Sequence, residues 1–521
     1  MKTRKSSSTF VYLALSALLG ACAMQPTSAV AQMTSVGIDC SQITPLGLLR
    51  QDNLGAGRVL IECGVAQGGH AEKTASLPLA PPNVQVSNRS CSSASSCTKS
   101  ENMVFANTSN PLNIVVNYND HNGSSYGGTS YSNDGGTTFT EIQPAPFASG
   151  HGENLGDPLV VYNTKLGEFF AGDLVTGCGG QGIGLWTSTN GQTWTTGACP
   201  HSGFSDDRPS MWVDNESTSG TYGRMYISWN NFAVGVGALS VTYSDDGKTW
   251  SAPVLVDNGS TFIRDVQITG SPVGATRYEG SNSTVFIAGM DEGGGGCATR
   301  QNQIYKSLDG GLTWTKVLIG TRFKPICDAL CSSNSYFAQV NPIIRHMGWG
   351  EPGVGPNGVV HYVFAGLGTG SDPGDIFYTR STDNGVTWST ATKINVTPDA
   401  AFNEQWMPSL SADAAGGVTI SWYDRFGAKS ACTKVSDPGC SYHRIARQST
   451  TNGASFGKLI LLSGLIPQPA QPDPGVVSCY AGDYDYDTTL SGNAFITWTD
   501  GSRSVGGTHV QDVEFATIPI P

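Results

Sequence analysis

The sequence predicts an all-β repeat protein, on three observations: a turn octet that returns along the chain, an apolar strand-like run ahead of each copy, and a composition rich in turn formers. The octet reads S-x-D-x-G-x-T-W. Full copies stand at 132–139 (SNDGGTTF), 307–314 (SLDGGLTW) and 381–388 (STDNGVTW), one-residue-shorter copies at 188–194 and 244–250, and a worn copy at 449–456. In such an octet the Asp carboxylate bonds the turn's own N–H groups and the Gly takes a positive φ. The aromatic residue then opens the next strand. Six copies in order, each after a β-type run, mark a repeat. Gly is 66 of 521 residues and charged residues are 13%, against usual values of about 7% and about 25%. That balance suits turn-rich β structure.

The apolar runs are NIVVNYND (113–120), FFAGDL (169–174), MYISWNN (225–231), VFIAGMD (285–291), HYVFAG (361–366), TISWYDR (419–425) and FITWTDG (495–501). Seven runs with six octets call for a final unit that lacks its own turn. DVEFATIPI (512–520) supplies that unit's third strand, and the alternating 83–87 strand is expected to add a fourth. No stretch beyond the leader shows sustained helical periodicity, so almost no helix is expected. The insertions at 265–283 and 322–358 are expected to be loops.

The octet resembles the Asp-box, or BNR repeat, of sialidases and related β-propellers, over roughly residues 83–521. The resemblance implies an Asp-box β-propeller. The seven apolar runs make it seven-bladed, with the six blades of sialidases as the alternative, and the N-terminal strand closes the ring. Asp134, Asp246, Asp309 and Asp383 then read as turn formers, not acids. Fold alone does not fix an activity.

The N-terminus carries Lys2, Arg4 and Lys5 before an apolar run from Phe10 to Leu19, the pattern of a signal peptide over 1–31. Two cleavage readings compete: a lipoprotein box ending before Cys22, and an A-x-A site at Ala29-Val30-Ala31. Residues 32–82 show no repeat and read as a linker or small disulfide-tied cap, followed by the propeller at 83–521. Twelve cysteines remain after Cys22, an even number that suits an oxidising compartment. Close spacing pairs Cys40 with Cys63, Cys91 with Cys97, Cys178 with Cys199 and Cys432 with Cys440. Cys297, Cys327, Cys331 and Cys479 stay open. Without its leader the chain is three charges more negative than the −12 of the full sequence, which argues against nucleic acid as a partner. Localisation is expected to be secreted, periplasmic or lipid-anchored, with membrane contact only through a lipid on Cys22.

Function is expected on the face opposite the octets, where polar strand ends meet at a central mouth. Arg208, Arg264, Asp265, Asp424, Arg425, Asp483, Asp500 and Arg503 are the candidate ligand-binding residues, since guanidinium and carboxylate groups suit the hydroxyls and carboxylates of a sugar. The competing reading is that these charges pair with one another. Sialidases use three Arg on the substrate carboxylate, a Tyr nucleophile activated by Glu, and an Asp acid. By resemblance Tyr484 is the candidate nucleophile, Glu404 its base and Asp207 the acid. The chain departs from the family in lacking an Arg-Ile-Pro ahead of the first octet; its one Arg-Pro step is Arg208-Pro209. The Asp483, Asp485 and Asp487 run lacks a calcium-hand glycine, Gly293 to Gly296 precede no phosphate-binding helix, and the eight His show no zinc spacing. No metal or cofactor is expected. The expected partner is a glycan or another polar extracellular ligand, and an enzyme of this kind would be a sialidase-like glycoside hydrolase. The alternative is a non-catalytic cell-surface scaffold.

Overall fold

The computed structural model describes residues 38–521 apart from 71–82, 88–90, 92, 123–124, 143–149, 276–279, 332–333, 341–343, 370, 400–401, 429, 431, 434–436 and 470. The expected signal peptide with Cys22, and the Pro-rich step at 78–82, lie outside the described residues. Strand accounts for 45% of the chain and helix for 5%, so the protein is all-β.

Among the described residues six sheets are four-stranded and antiparallel, and a seventh adds the parallel strand Asp485–Tyr486 to the same four-stranded antiparallel plan. Their second strands are Asn110–Asn122, Glu168–Val175, Met225–Asn231, Val285–Asp291, Val360–Leu367, Val418–Asp424 and Asn493–Asp500. These contain the seven apolar runs of the sequence. In the last sheet Thr488–Leu490, Asn493–Asp500 and Asp512–Pro519 are joined by Val84–Gln85, with Val84 opposite Phe515 in antiparallel register. Successive sheets touch through their first strands, and the first sheet also touches the last. The core lies between sheets. One cluster, for instance, joins Val160, Phe170 and Trp186 of the second sheet to Met211, Ile227 and Trp229 of the third.

The octets form the turns expected of them, between third and fourth strands. In the first, Asp134 Oδ1 accepts from Ser132 Oγ (2.7 Å) and Thr138 N (2.9 Å), and Oδ2 from Thr138 Oγ1 (2.6 Å). Asp309 and Asp383 repeat this set. Hydrogen bonds from the Thr138 side chain and backbone hold the Asp134 carboxyl down to about 2. The octet glycine does more than turn the chain: it lies against the preceding sheet. A Cβ on Gly247 would come 2.3 Å from the Phe170 ring, on Gly311 2.9 Å from Tyr226, on Gly385 3.0 Å from Phe286, and on Gly136 2.1 Å from Phe515 of the last sheet.

Two expectations need correction. The insertion at 265–283 begins inside the strand Ile263–Gly270, and that at 322–358 contains Ala338–Val340, Ile344–Arg345 and Glu351–Val354. A bulge between Asp265 and Gln267, and the Pro352-Gly353 step, interrupt the alternation that marks a strand in sequence. A helix, Leu54–Glu62, also escaped notice; with Gly55 and Gly57 inside nine residues its period is short and weak. Asn53 caps it, its side chain accepting from Ala56 N at 2.8 Å.

Residues 38–70 pack as a cap whose Leu46, Leu48, Leu54, Ala56, Val59, Leu60 and Ala66 join Tyr126, Val476, Val477 and Tyr480 in one buried cluster. Six disulfides pair all twelve described cysteines: the four expected pairs, plus Cys297–Cys327 and Cys331–Cys479. They fit an oxidising compartment. Cys40–Cys63 is internal to the cap, and no disulfide joins the cap to the sheets.

Candidate functional site

The first strands of several sheets begin with a bulge, and the bulges aim the site. Register slips between Ser100 and Asn102, Gly156 and Leu159, Asp207 and Ser210, and Trp406 and Ser409. At each slip one non-glycine residue takes a positive φ: Glu101 (43°), Asp157 (65°), Arg208 (48°) and Met407 (47°). Each such backbone costs about 1–2 kcal/mol. Three of the four precede a proline, Pro158, Pro209 and Pro408. Proline has no N–H to give the ladder, which favours a bulge there.

Arg208, Arg264 and Arg345 converge at this level, all buried. Arg208 Nη1 donates to Asp52 Oδ2 (2.7 Å), Arg264 Nη1 lies 3.3 Å from Asp52 Oδ1, and Arg345 Nη2 donates to the Asp52 carbonyl. Burial opposes ionisation of Asp52, but the guanidiniums of Arg264, Arg208 and Arg345 outweigh it and hold this carboxyl down to about 2. The guanidinium carbon of Arg208 stands 4.2 Å from the Trp349 ring centroid and 4.8 Å from that of Tyr484. Arg264 also donates to Asp207 Oδ2 (2.8 Å) and to Glu292, and Arg345 Nε to Asp483 Oδ1 (2.9 Å). Asp207 accepts from Asn53 Nδ2 at 2.7 Å. Burial and the neighbouring Asp52 charge push Asp207 up to about 8, against the lowering pull of Arg264.

Four candidate residues therefore meet at this cluster: Asp207, Arg208, Arg264 and Asp483, with Tyr484 beneath Arg208. Asp265 is buried next to Arg264, where burial pushes it up to about 7. The Tyr484 hydroxyl is buried without a hydrogen-bond partner, and burial raises it well above the usual tyrosine range.

The other candidates make their contacts outside this cluster. Glu404 does not pair with Tyr484 as expected. It forms a 2.7 Å ion pair with Arg425, and burial, offset by Arg425, pushes it up to about 7. Arg425 further donates to Gln468 (2.9 Å). Asp424 accepts from Thr397 Oγ1 (2.7 Å) and Trp422 Nε1 (3.1 Å), and Asp500 from Trp498 Nε1 (3.0 Å) and Ser502 N (2.6 Å). Arg503 pairs with Asp512 at 2.8 Å. For these the competing reading, charges that satisfy one another, describes the contacts. Asp52, Glu101, Glu292, Arg345 and Trp349 were missed. Only the Xaa-Pro steps at the strand starts offered a signal.

Beside the cluster a solvent-open cleft of about 1090 Å³ is lined by Arg50, Phe262, Asp291, Arg322, Asn334 and Tyr336, among others. Arg322 pairs with Asp291 at 2.5 Å. The Tyr336 hydroxyl donates to Glu292 Oε2 (2.5 Å), and Glu292 Oε1 accepts from Trp349 Nε1 (2.6 Å). Through Glu292 the cleft wall is thus continuous with Arg264.

No protein-family model matches the chain, and no curated protein matches it. Among solved structures the chain is similar to a protein of unknown function from Dyadobacter fermentans (13% identity, 85% of this chain and 100% of that one, TM-score 0.41). It is similar also to the GH93 α-L-arabinofuranosidase of Fusarium graminearum in complex with arabinobiose (11% identity, 84% and 98%, TM-score 0.41). A third is the intramolecular trans-sialidase from Ruminococcus gnavus in complex with oseltamivir carboxylate (14% identity, 82% and 96%, TM-score 0.38). At these identities and scores the functional reading rests on the chain's own residues.

The cleft sets the exposed Arg322 guanidinium and its partner Asp291 beside Tyr336, while the Phe262 ring is buried against Phe232.

Proposed function

We propose that the protein is an exported, seven-bladed β-propeller, closed by Val84–Gln85, that binds an extracellular glycan at its mouth without hydrolysing it. The observation that carries this reading is the open cleft bounded by Phe262, Tyr336, Asp291 and Arg322, joined through Glu292 to the buried arginines. The sheet-to-sheet contacts and the Val84 to Phe515 pairing support the ring; the disulfides support export. Release, a periplasmic location and a lipid on Cys22 are all compatible with it.

A glycan array with wild type beside Arg322→Ala and Tyr336→Ala tests the reading. Retention of a defined glycan set by wild type, reduced at least tenfold in both variants, is the expected result; no retained glycan sinks it. A fluorogenic sialoside, offered to wild type and Tyr484→Phe, should give no difference in turnover. A second reading, a cell-surface scaffold that binds protein, is favoured by one observation: Asp52 of the chain itself fills the arginine cluster. An empty array combined with a protein partner captured on the mouth face would select it.

A further inference from the structure

The arginine cluster is already gripping a carboxylate, and that carboxylate comes from outside the sheets. Asp52 lies at the tip of the cap, one residue before the N-cap of Leu54–Glu62. Its side chain is held by Arg208 and Arg264, its carbonyl by Arg345, and its amide faces Asp207 Oδ2 at 3.4 Å. Arg50 offers its carbonyl to Arg264, and the Asn53 side chain donates to Asp207. Four consecutive residues, Arg50 to Asn53, thereby occupy the floor of the mouth.

Three buried guanidiniums are an expensive way to fill a protein axis, because each gives up its hydration. The contacts of Arg208 show what they gain. Among the described residues its ion pair is to Asp52, while its flat face rests on Trp349 and Tyr484. A planar cation backed by two aromatic faces and aimed at one carboxylate is ligand-binding geometry, here satisfied from within the chain.

The cap that delivers Asp52 docks on the sheets without a covalent tie. Its apolar residues share one buried cluster with Tyr126, Val476, Val477 and Tyr480 of the rest of the chain. Its disulfide closes on itself. It is tied by the Arg58–Glu153 pair at 2.7 Å, by backbone bonds from Gly69 to Asp473 and Val476, and by buried hydrogen bonds from Gln51 to Ser205 (2.8 Å), Gln181 to Gln51 (2.6 Å) and Ser205 to the Leu46 carbonyl (2.9 Å). Every contact between cap and sheets is therefore non-covalent, apart from the chain itself.

We propose that residues 38–70 are an autoinhibitory plug in which Asp52 stands in for the carboxylate of an acidic sugar, so that cap docking and binding of that sugar at Arg208, Arg264 and Arg345 exclude one another. This rests on the glycan reading of the mouth and adds its regulation. The open cleft takes the neutral part of a glycan with the cap in place; the arginine floor becomes available only when the cap leaves.

Exclusion makes the apparent affinity for a sugar acid equal to the intrinsic affinity reduced by the fraction of molecules whose cap is open. Loosening the cap far from the arginines must then tighten binding. Leu60, 2% exposed in the cluster that the cap shares with Tyr126, Val476, Val477 and Tyr480, is the place to do it, since Leu→Ala in a packed core shifts an opening equilibrium by about thirtyfold or more.

The experiment titrates full-length wild type and Leu60→Ala with D-galacturonate, N-acetylneuraminate and, as the neutral control, D-galactose, while hydrogen exchange follows the amides of Leu54–Glu62. Expected are faster exchange in Leu60→Ala, at least tenfold tighter binding of the two acids, and no tightening of galactose binding, since Leu49, Arg50 and Val65 of the cap line the open cleft. In wild type, saturating acid should speed exchange of the same helix, a readout that stands even where Leu60→Ala fails to fold. Unchanged acid affinity in a Leu60→Ala protein with fast-exchanging helix amides overturns the plug. So does a helix better protected with acid bound, or acid binding by neither protein. Failure of the cleft shows separately, as an empty array or as insensitivity to Arg322→Ala.

Discussion

Asp309 shows how much one short side chain does here. It accepts from Ser307 Oγ (2.9 Å), Leu312 N (3.1 Å), Thr313 N (2.9 Å) and Thr313 Oγ1 (2.6 Å), so a single carboxylate organises a whole turn. These donors sit at an exposed turn where water replaces part of what is lost. Asp309→Ala should therefore cost about 1–2 kcal/mol, and Asp309→Asn, which keeps one acceptor oxygen, about half as much. Urea unfolding with an unchanged m-value measures both. Asp424 bonds a buried indole N–H, so Asp424→Ala strands a donor in the interior and should cost about 1–3 kcal/mol. A loss no larger than that of Asp309→Asn would show that the Trp422 bond adds nothing.

At the scale of the element, the turn and the neighbouring sheet are coupled through one glycine. Gly247 needs its φ of +71°, and it also needs the absence of a side chain, since a Cβ would meet the Phe170 ring at 2.3 Å. Gly427 has a φ of +79° and nothing within 4 Å. Gly427→Ala isolates the backbone cost, about 1 kcal/mol, while Gly247→Ala adds overpacking for a total of about 2–4 kcal/mol. Equal losses would mean that the sheet contact contributes nothing. The same elements show what the sequence made legible. Octets and second strands were readable because their determinants are local: Ser132, Asp134 and Thr138 bond within five residues, and an apolar alternation needs no partner. Asp52 and Arg345 were not, because they meet only after Ile344–Arg345, in a stretch that reads as loop, has folded back on the cap. The bulges at Asp157 and Arg208 hid further residues by reversing the face on which alternation places a side chain. The Glu404 and Arg425 pair shows the converse. Both have the right chemistry, and sequence order could not reveal that they spend it on each other.

For the molecule as a whole, buried carboxyls set the response to alkali. Burial, then the charges of Asp500 and Asp512, push Glu514 up to about 9, and Asp207 stands at about 8. A carboxyl raised above its unfolded value keeps its proton in the folded state after the unfolded chain has released its own. The stability it contributes is full below the unfolded value near 4 and is lost as pH rises through the folded one. Tm should accordingly fall between pH 7 and pH 9.5, and Glu514→Gln should make that fall shallower; an identical slope in the variant would remove Glu514 from the account.

The glycines that lean on the preceding sheet carry a larger consequence. Gly136, Gly247, Gly311 and Gly385 each set a notch against an aromatic ring of the neighbouring sheet, like interlocking tiles cast from one mould. A gene that copied or dropped a whole unit would still produce flanks that mate, so the family of such chains can grow by duplication without inventing a new joint.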